Sequence, residues 1–322
     1  AGLGGSSCVR GATEPEGGGV LGLRVIGPEA EYQLDWLELT EALEAGHRMP
    51  KAEIGDTFLY RDPDTLLSRA AWIDGLGLAV KSATVFPGNA ARGLSNINGA
   101  VSVFSDQDGS LEALVDFHLV TKWKTAGDSL LSARMLARPD AKSILIVGAG
   151  TVARSMLEAY SAAFPEATFT VWSRTAASAE ALASGTVRVA PDLAVAVAAS
   201  DIVCCATMAT EPVIKGEWIS PGTHLDLIGA YRPDMREVDD EALQKARLFV
   251  DSRATTIGHI GEVMIPIAEG VITETDILAD FYDLASGTYA RATDDEITIA
   301  KNGGGAHLDL MTCRYILDKL SN

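Results

Sequence analysis

The stretch Ser143–Ala153, with the sequence SILIVGAGTVA, indicates the fold class of this chain. SILIV reads as a buried strand, and the Gly-x-Gly-x-x-Ala turn that follows it leads directly into a helix. In such a turn Gly148 permits the tight bend, Gly150 lets the backbone approach a pyrophosphate, and Ala153 allows close packing of the helix against the strand. The pattern therefore predicts a dinucleotide-binding loop.

The start of the predicted helix belongs to the same site. Thr151 and Val152 are its first residues, and the N–H groups of a first helical turn have no partner within the helix. Together with the helix dipole, these groups attract negative charge such as that of a pyrophosphate. We therefore expect Gly148, Gly150, Thr151 and Val152 to contact the cofactor.

Strands and helices alternate along the chain after this loop. The predicted helices are 151–163 and 176–183, and the predicted strands are 168–172, 202–206, 223–228 and 248–251. Strands that alternate with helices form parallel sheets with helices on both faces. The expected fold class is α/β, with a Rossmann-type, doubly wound parallel sheet.

The sequence on either side of this region does not show the same regular alternation of strands and helices. It predicts a helix at 34–45, strands at 76–86, 100–104 and 111–115, a long helix at 120–137 and a final helix at 307–320. We expect residues 24–124 and 290–322 to form an α+β substrate domain, next to which the Rossmann-type domain of residues 125–289 is inserted. The Gly-rich residues 1–23 lack a hydrophobic period and are expected to be a disordered leader.

The composition excludes several classes of function. Acidic residues outnumber basic ones by 44 to 26, which gives a formal net charge of −18. That charge repels polyanions, so nucleic acid and anionic membrane surfaces are not expected partners. No uncharged apolar run approaches the ~18 residues that a membrane span needs. The four cysteines show neither a disulfide framework nor the spacing of a metal site, so we expect no metal, and reduced thiols in a cytoplasmic protein.

The residues that follow the second strand of the parallel sheet indicate which cofactor binds. An NAD site usually places an acidic residue there, against the ribose 2′-hydroxyl. This chain has Ser173, Arg174 and Thr175 instead. Arg174 offers a planar fork of donors to a 2′-phosphate, and the two hydroxyl groups offer further hydrogen bonds; a solvated surface charge is the alternative role of Arg174. We therefore predict NADP as the cofactor, in preference to NAD.

Several segments beyond this loop resemble the ornithine cyclodeaminase/mu-crystallin family. In the family's order, they are KSATVFPGN (81–89), TKWKTA (121–126), ATMATEP (206–212), GAYRPDMREVD (229–239) and VDS (250–252). The family includes ornithine cyclodeaminases, alanine dehydrogenases, cyclic-ketimine reductases and a thyroid-hormone-binding crystallin. Because its members pair through the N-terminal substrate domain, the resemblance implies that this domain also mediates dimerisation and that the chain forms a homodimer.

The resemblance also implies which residues bind substrate. Lys81 matches the family's lysine that contacts the substrate carboxylate or its reacting nitrogen, and Lys124 stands where most members have an arginine that clamps the carboxylate. A lysine between apolar strand residues needs a partner, which a bound carboxylate would provide; a structural ion pair is the alternative. Arg69 is the candidate replacement for an N-terminal arginine of the family, and Asn89 closes the first motif.

Candidates for catalysis and further cofactor contacts also follow from the resemblance. Cyclodeaminases have an acid–base aspartate at the position of Tyr231, which could donate a proton here, and Asp234 lies close by in the same motif. Lys81 is the third catalytic candidate, while purely structural roles remain the alternative for Tyr231 and Asp234. The segment 301–306 matches the one that returns toward the nicotinamide. The further expected cofactor contacts are Ala206, Thr207, Met208, Gly229, Asn302 and Gly303.

These assignments predict an enzyme and its reaction. The stretch GAYRPDMREVDDE looks more like the reductase and crystallin branch of the family than like the cyclodeaminases. The resemblance thus implies an NAD(P)H-dependent reductase of small cyclic imino acids, which converts Δ1-pyrroline-2-carboxylate to proline or Δ1-piperideine-2-carboxylate to pipecolate. Three alternatives stay open: an ornithine cyclodeaminase, an alanine dehydrogenase and a crystallin-like binding protein.

Overall fold

Two β-sheets organise the protein in the computed structural model, which describes residues 23–321. The elements of the first region are β1 (Arg24–Ile26), α1 (Trp36–His47), β2 (Glu53–Arg61), β3 (Asp64–Ile73), β4 (Gly77–Val85), β5 (Ile97–Phe104), β6 (Leu111–Asp116) and α2 (Phe117–Leu136). Its six strands lie in the spatial order β1-β6-β5-β4-β3-β2. The pairs from β2 to β6 are antiparallel, and β1 joins β6 in parallel.

The second sheet is parallel throughout and confirms the α/β fold class. The elements of this region are β7 (Ser143–Val147), α3 (Thr151–Ala163), β8 (Thr168–Trp172), α4 (Ala176–Leu182), β9 (Arg188–Val189), α5 (Leu193–Ala198), β10 (Ile202–Cys205), β11 (His224–Leu227), α6 (Asp240–Lys245), β12 (Ala246–Val250), α7 (Arg253–Thr256), α8 (Gly261–Ala268), β13 (Ile277–Ala279), β14 (Ile297–Lys301) and α9 (Ala306–Lys319). The eight strands lie in the order β13-β12-β14-β11-β10-β7-β8-β9. Their carboxyl ends therefore share one edge, where ligands bind in open α/β sheets.

Two helices join the sheets. α2 packs against α1 on one side and α3 on the other, and α9 packs on β3, β4 and α2. Leu39, Leu43, Val103, Leu130 and Ile316 are fully buried in the core that these helices share with the first sheet. The loop from β14 to α9 therefore leads from the carboxyl edge of the parallel sheet directly to the first sheet.

The structure corrects both predicted domain boundaries. β14 lies between β11 and β12 in the parallel sheet, although residues 290–322 were expected in the substrate domain. The reason is that its sequence, ITIAK, is buried almost throughout and completes the sheet, so that only α9 returns to the first region. The boundary at residue 124 falls inside α2, a continuous helix that serves both regions.

Two further expectations concern the leader and the membrane. The predicted leader at 1–23 lies outside the described residues, except for residue 23. Between residues 23 and 321, no helix is both long and apolar enough to cross a membrane.

Candidate active site

The glycine turn after β7 is built to let a ligand approach the backbone. Gly148 has a φ of +120°, and a Cβ there would lie 2.6 Å from the carbonyl oxygen of Ala206, so only glycine fits. Gly150 is the N-cap of α3, and a Cβ on it would meet no protein atom within 4 Å. Since no described side chain caps α3, the N–H groups that follow, starting at Thr151 and Val152, are available to an anion. These residues fit a pyrophosphate.

The segment after β8 presents an arginine and hydroxyl groups to solvent. Arg174 and Thr175 are exposed and Ser173 is half-buried. Within the described part of the chain, the Arg174 guanidinium forms no hydrogen bond or ion pair, and no carboxylate follows β8. The segment can therefore accept a phosphate group next to the glycine turn.

The loops after β10 and β11 are held together at the same edge of the sheet. Glu237 accepts hydrogen bonds from the Thr207 N–H (2.8 Å), the Thr207 hydroxyl (2.8 Å) and the Gly229 N–H (2.8 Å). A Cβ on Gly229 would lie 1.9 Å from the Thr207 carbonyl oxygen. Ala206 donates its N–H to the Val147 carbonyl (2.8 Å), and Met208 is exposed. These residues form the edge near the glycine turn. Glu237 is one of the residues that sequence reasoning missed.

The loop after β14 also lies at this edge. Asn302 is buried, and neither atom of its side-chain amide has a hydrogen-bond partner among the described residues. A Cβ on Gly303 would lie 2.7 Å from the Thr256 hydroxyl. Asp251, which follows β12, accepts a hydrogen bond from the Gly304 N–H at 2.7 Å. Asp251 thus holds Gly304, whose carbonyl group faces the first sheet.

Two cationic side chains donate to that carbonyl group, and a third, Lys81, pairs with Asp309 beside them. Arg69 on β3 and Lys81 on β4 are directly opposite each other in the sheet, where like charges are destabilising. Arg69 Nη1 lies 3.0 Å and Lys124 Nζ on α2 lies 2.8 Å from the Gly304 oxygen. Asp56 on β2 accepts from Arg69 Nε at 3.1 Å. The structure therefore brings together Arg69, Lys81 and Lys124, the residues for which the resemblance implied substrate binding.

A buried carboxylate, Asp309 on α9, lies at the centre of this cluster. Lys81 Nζ is 2.9 Å and Lys124 Nζ is 3.7 Å from Asp309 Oδ1. Burial alone raises the pKa of this carboxyl group, but the charges of Lys124 and Lys81 outweigh burial and hold the pKa below its usual range. Sequence reasoning missed Asp309. The available signal was a carboxylate between Leu308 and Leu310 on a buried helix face, which needs a cationic partner.

The charge balance of the cluster suits an anionic ligand. Lys81 and Lys124 are both buried and share only one carboxylate, while Arg69 is partly neutralised by Asp56. The structural ion pair that was the alternative role of Lys81 is present, and the same carboxylate, Asp309, must also serve Lys124 at the longer distance of 3.7 Å. A small carboxylate would supply the missing negative charge beside the loop that reaches the cofactor edge.

The structure places Tyr231 and Asp234 at the surface, outside this cluster. Tyr231 is 59% exposed, and the Arg232 guanidinium lies 5.7 Å from its ring centre. Asp234 is exposed and accepts from Arg232 Nε at 2.9 Å. That hydrogen bond lowers the pKa of Asp234. The segment forms a local turn at the surface because its own arginine satisfies its own carboxylate.

Asn89 also lies apart from the cluster. Its amide donates to the Ser95 carbonyl at 2.8 Å, within the loop between β4 and β5. Its role in the described residues is to hold that loop together. Elsewhere in residues 23–321, no group of three or more His, Cys, Asp or Glu side chains could hold a metal ion.

Comparison with known proteins places these features among nicotinamide-dependent enzymes. A model of the ornithine cyclodeaminase/mu-crystallin family matches residues 73–322. The Δ1-pyrroline-2-carboxylate reductase of Paracoccus denitrificans is 53% identical over 296 residues, which cover 89% of this chain and 94% of that protein. The structure of Thermococcus litoralis Δ1-pyrroline-2-carboxylate reductase in complex with NADH and L-proline is 28% identical, with a TM-score of 0.84 over 92% of this chain and 97% of that one.

A dimeric relative is similar to the same extent. An archaeal alanine dehydrogenase dimer with bound NAD is 26% identical to this chain and has a TM-score of 0.84. The match covers 93% of this chain and 96% of that one, so it includes both sheet regions.

Proposed function

The chain belongs to the ornithine cyclodeaminase/mu-crystallin family, and from this premise we propose that it reduces Δ1-pyrroline-2-carboxylate to proline. It is an NAD(P)-dependent oxidoreductase that acts on the carbon–nitrogen bond of small imino acids. The proposal rests on Arg69 and Lys124, which both donate to the Gly304 carbonyl, and on Lys81, which pairs with the buried Asp309 beside them. The six-membered analogue, Δ1-piperideine-2-carboxylate, is expected to give pipecolate at the same site.

The cationic cluster binds and orients the substrate. The substrate carboxylate takes N–H groups that Arg69 and Lys124 now donate to a neutral carbonyl, and charge-assisted bonds are the stronger ones. The reduced nicotinamide, when bound, supplies a hydride to the imine carbon. The loop fixed by Asp251 places the carboxylate site next to the carboxyl edge of the parallel sheet. The chain's contribution is thus to hold the imine carbon within reach of the hydride donor and away from water.

A substrate screen tests this proposal against its alternatives. NADPH oxidation by the full chain is followed with Δ1-pyrroline-2-carboxylate, with Δ1-piperideine-2-carboxylate, and with pyruvate plus ammonia or methylamine. We expect the cyclic imines to be reduced much faster than the pyruvate mixtures. Reduction of pyruvate plus ammonia alone would favour an alanine dehydrogenase, and cofactor binding without any turnover would favour a crystallin-like binding protein.

Arg174 supports NADP as the preferred cofactor. Its guanidinium is exposed beside the glycine turn, and a charge-assisted contact to a 2′-phosphate contributes about 1.5–3 kcal/mol. We expect Arg174→Ala to raise the KM for NADPH roughly ten- to a hundred-fold and to leave the KM for NADH nearly unchanged. Lys142→Ala is the control, since Lys142 is an exposed cation at the amino end of β7, on the opposite edge of the sheet. Equal effects of Arg174→Ala on both cofactors would contradict the assignment.

The outer face of the first sheet supports the proposed homodimer. α2 and α9 cover one face, whereas Trp72, Leu78, Val80 and Phe104 project from the other and line a hollow of about 420 Å³. Trp72 is 50% exposed, and the other three are half-buried. A second copy packed face to face would remove this apolar surface from water, in line with the dimeric alanine dehydrogenase that the chain resembles.

Light scattering tests the dimer. The chain has a mass of 33.9 kDa, so we expect twice that mass at micromolar concentration. Val80→Asp places a charge in the middle of the apolar face and should dissociate the dimer. Asp108→Asn, a change in the exposed turn between β5 and β6, is the control. A monomeric mass for the unaltered chain would overturn the proposal.

We also propose that the protein works in the cytoplasm. Cys204, Cys205 and Cys313 are buried, and none of them forms a disulfide in the described structure. Burial raises the pKa of all three thiols, which keeps them protonated and unreactive. Free, buried thiols fit a reducing compartment.

A further inference from the structure

We infer that Lys124 is the acid that protonates the substrate nitrogen, while Lys81 provides a fixed charge. This inference rests on the proposed function, because it requires an imine as the substrate. Hydride addition to a neutral imine leaves the electron pair of the double bond on nitrogen, so a proton must arrive there. Tyr231 and Asp234 lie at the surface, and the two buried lysines are the remaining donors of the cluster.

The surroundings of the two lysines differ. Lys81 Nζ lies 2.9 Å from Asp309 Oδ1, donates to the Thr121 hydroxyl at 2.8 Å and lies 4.7 Å from the centre of the Phe117 ring. A carboxylate, a hydroxyl oxygen and an aromatic face all stabilise its positive charge. These contacts therefore favour the protonated form of Lys81.

Lys124 lacks such compensation. The nearest group to its Nζ is the neutral Gly304 carbonyl at 2.8 Å, and the carboxylate of Asp309 is 3.7 Å away. The charged or titratable groups that face it are Asp309 and His307 on α9, Lys81 on β4, Arg69 on β3 and Asp128 on α2. Burial lowers the pKa of Lys124 to about 8, helped by the charges of Lys81 and Arg69 and opposed by Asp309 and Asp128. An acid of that strength is charged at neutral pH and gives up its proton readily.

The residue type at this position supports the same role. The resemblance to the family implies an arginine at this position in most members, and a guanidinium is not deprotonated in proteins. The arginine can therefore clamp a carboxylate but cannot deliver a proton. Lys124 cannot bind the carboxylate through two parallel N–H groups as arginine does, but its ammonium group can transfer a proton. A lysine at this position therefore suits an enzyme that must protonate its substrate.

The geometry of the substrate lets one ammonium group perform both tasks. In a cyclic α-imino acid the carboxylate is attached to the imine carbon, so one carboxylate oxygen lies on the same side as the imine nitrogen. An ammonium group that binds this oxygen has a second N–H directed at the nitrogen. Lys124 can thus hold the carboxylate and face the nitrogen at once, with Arg69 holding the other oxygen.

The proton and electron balance is complete. The imine carbon accepts the hydride from the reduced nicotinamide, and the π electron pair of the C=N bond moves to nitrogen. That pair forms a new N–H bond with a proton from Lys124 Nζ, whose own N–H bond breaks. The products are a secondary amine, the oxidised nicotinamide and a neutral Lys124, which regains its proton from water.

The test compares Lys124→Arg with the unaltered enzyme as a function of pH. Lys124→Arg keeps the charge that binds the carboxylate, so the KM for Δ1-pyrroline-2-carboxylate should change little, while kcat should fall by about 10²-fold. In the unaltered enzyme, kcat should fall above about pH 8, where Lys124 loses its proton. The residual kcat of the variant should show no break at that pH.

A matched control and a second variant make the test decisive. Lys122→Arg is the same substitution two residues away, at a partly exposed lysine that pairs with Glu31 and Glu158, and should change neither kcat nor its pH profile. Lys124→Ala should regain part of its kcat when methylamine is added, in proportion to the amine concentration. This rescue answers the question even if arginine does not fit the buried site.

The possible outcomes separate this inference from the proposed function. Retention of kcat and of the break near pH 8 in Lys124→Arg would overturn the role of Lys124 and leave the reductase intact. Absence of amine rescue in a folded Lys124→Ala that still binds NADPH would overturn it as well. Absence of imine reduction by the unaltered enzyme would instead overturn the proposed function.

Discussion

We expect Lys81→Met to lower kcat/KM for Δ1-pyrroline-2-carboxylate by about 10³-fold, because truncation of one partner of a buried charge pair between protein and ligand costs about 2–5 kcal/mol of binding free energy. Lys81 is buried, and its Nζ lies 2.9 Å from Asp309. Methionine fills similar space without the charge, so the substrate carboxylate loses a cation and Asp309 keeps only Lys124, at 3.7 Å. Steady-state kinetics measure the loss of kcat/KM. Thermal or urea unfolding measures the loss of stability that follows because Asp309 loses its nearest cation.

The double variant Lys81→Met/Asp309→Leu separates binding from folding. Replacement of a whole buried ion pair by apolar side chains is often close to neutral for the free energy of unfolding. We therefore expect the double variant to recover most of the stability that Lys81→Met loses, and none of the activity. Recovery of kcat/KM in the double variant would show that Lys81 matters only as the partner of Asp309.

The second large effect is expected from Gly150→Ala. We expect NADPH affinity to fall by about 10²-fold, because a methyl group would stand where the pyrophosphate must approach the backbone. A Cβ at Gly150 meets no protein atom within 4 Å, and its φ of −85° suits any residue. The free energy of unfolding should therefore fall by only about 0.5–1 kcal/mol, because alanine is a poorer helix N-cap than glycine. Titration with NADPH and unfolding of the cofactor-free protein measure the two quantities.

Gly229→Ala, in contrast to Gly150→Ala, should lower the stability of the folded protein. A Cβ there would lie 1.9 Å from the Thr207 carbonyl oxygen and 2.4 Å from a Glu237 oxygen, so the loops after β10 and β11 must move apart. We expect a loss of about 1–3 kcal/mol in the free energy of unfolding. Unchanged NADPH binding in Gly150→Ala would contradict the assignment of the glycine turn, whatever Gly229→Ala does.

Local patterns predicted the parallel sheet well. β7, α3 and β8 have the predicted bounds, because SILIV, the glycine turn and the next apolar strand follow in the short order of a βαβ unit. The structure also brings Arg69, Lys81 and Lys124 together. Their convergence was expected from the resemblance, and the register of β3 on β4 explains it for Arg69 and Lys81.

Features that depend on distant contacts were not predictable. β14 is a short apolar run whose identity as a central strand depends on β11 and β12, far away in the sequence. β2 and β3 form a long hairpin, but apolar residues such as Phe58, Leu59 and Tyr60 are consecutive and exposed, which hides the alternation of a strand. Asp309 acquires its role only when α9 packs on the first sheet.

The surface position of Tyr231 and Asp234 has a local cause. Tyr231 was identified because it matches the aspartate of the cyclodeaminases in the sequence. A match in sequence does not show the direction in which the side chain points. Arg232 lies against both side chains and holds them at the surface. The buried acid of the same motif is Glu237, which binds backbone N–H groups of the loops after β10 and β11.

Isotope transfer from the cofactor shows directly whether the protein transfers a hydride from NADPH to the imine carbon. Purified protein is incubated with Δ1-pyrroline-2-carboxylate and NADPH that carries deuterium at both C4 positions of the nicotinamide, and the product is analysed by mass spectrometry. We expect proline with one deuterium, located at carbon 2. We expect no ammonia when ornithine is supplied with NAD instead. Unlabelled proline, or ammonia released from ornithine while the imine is left unreduced, would contradict it.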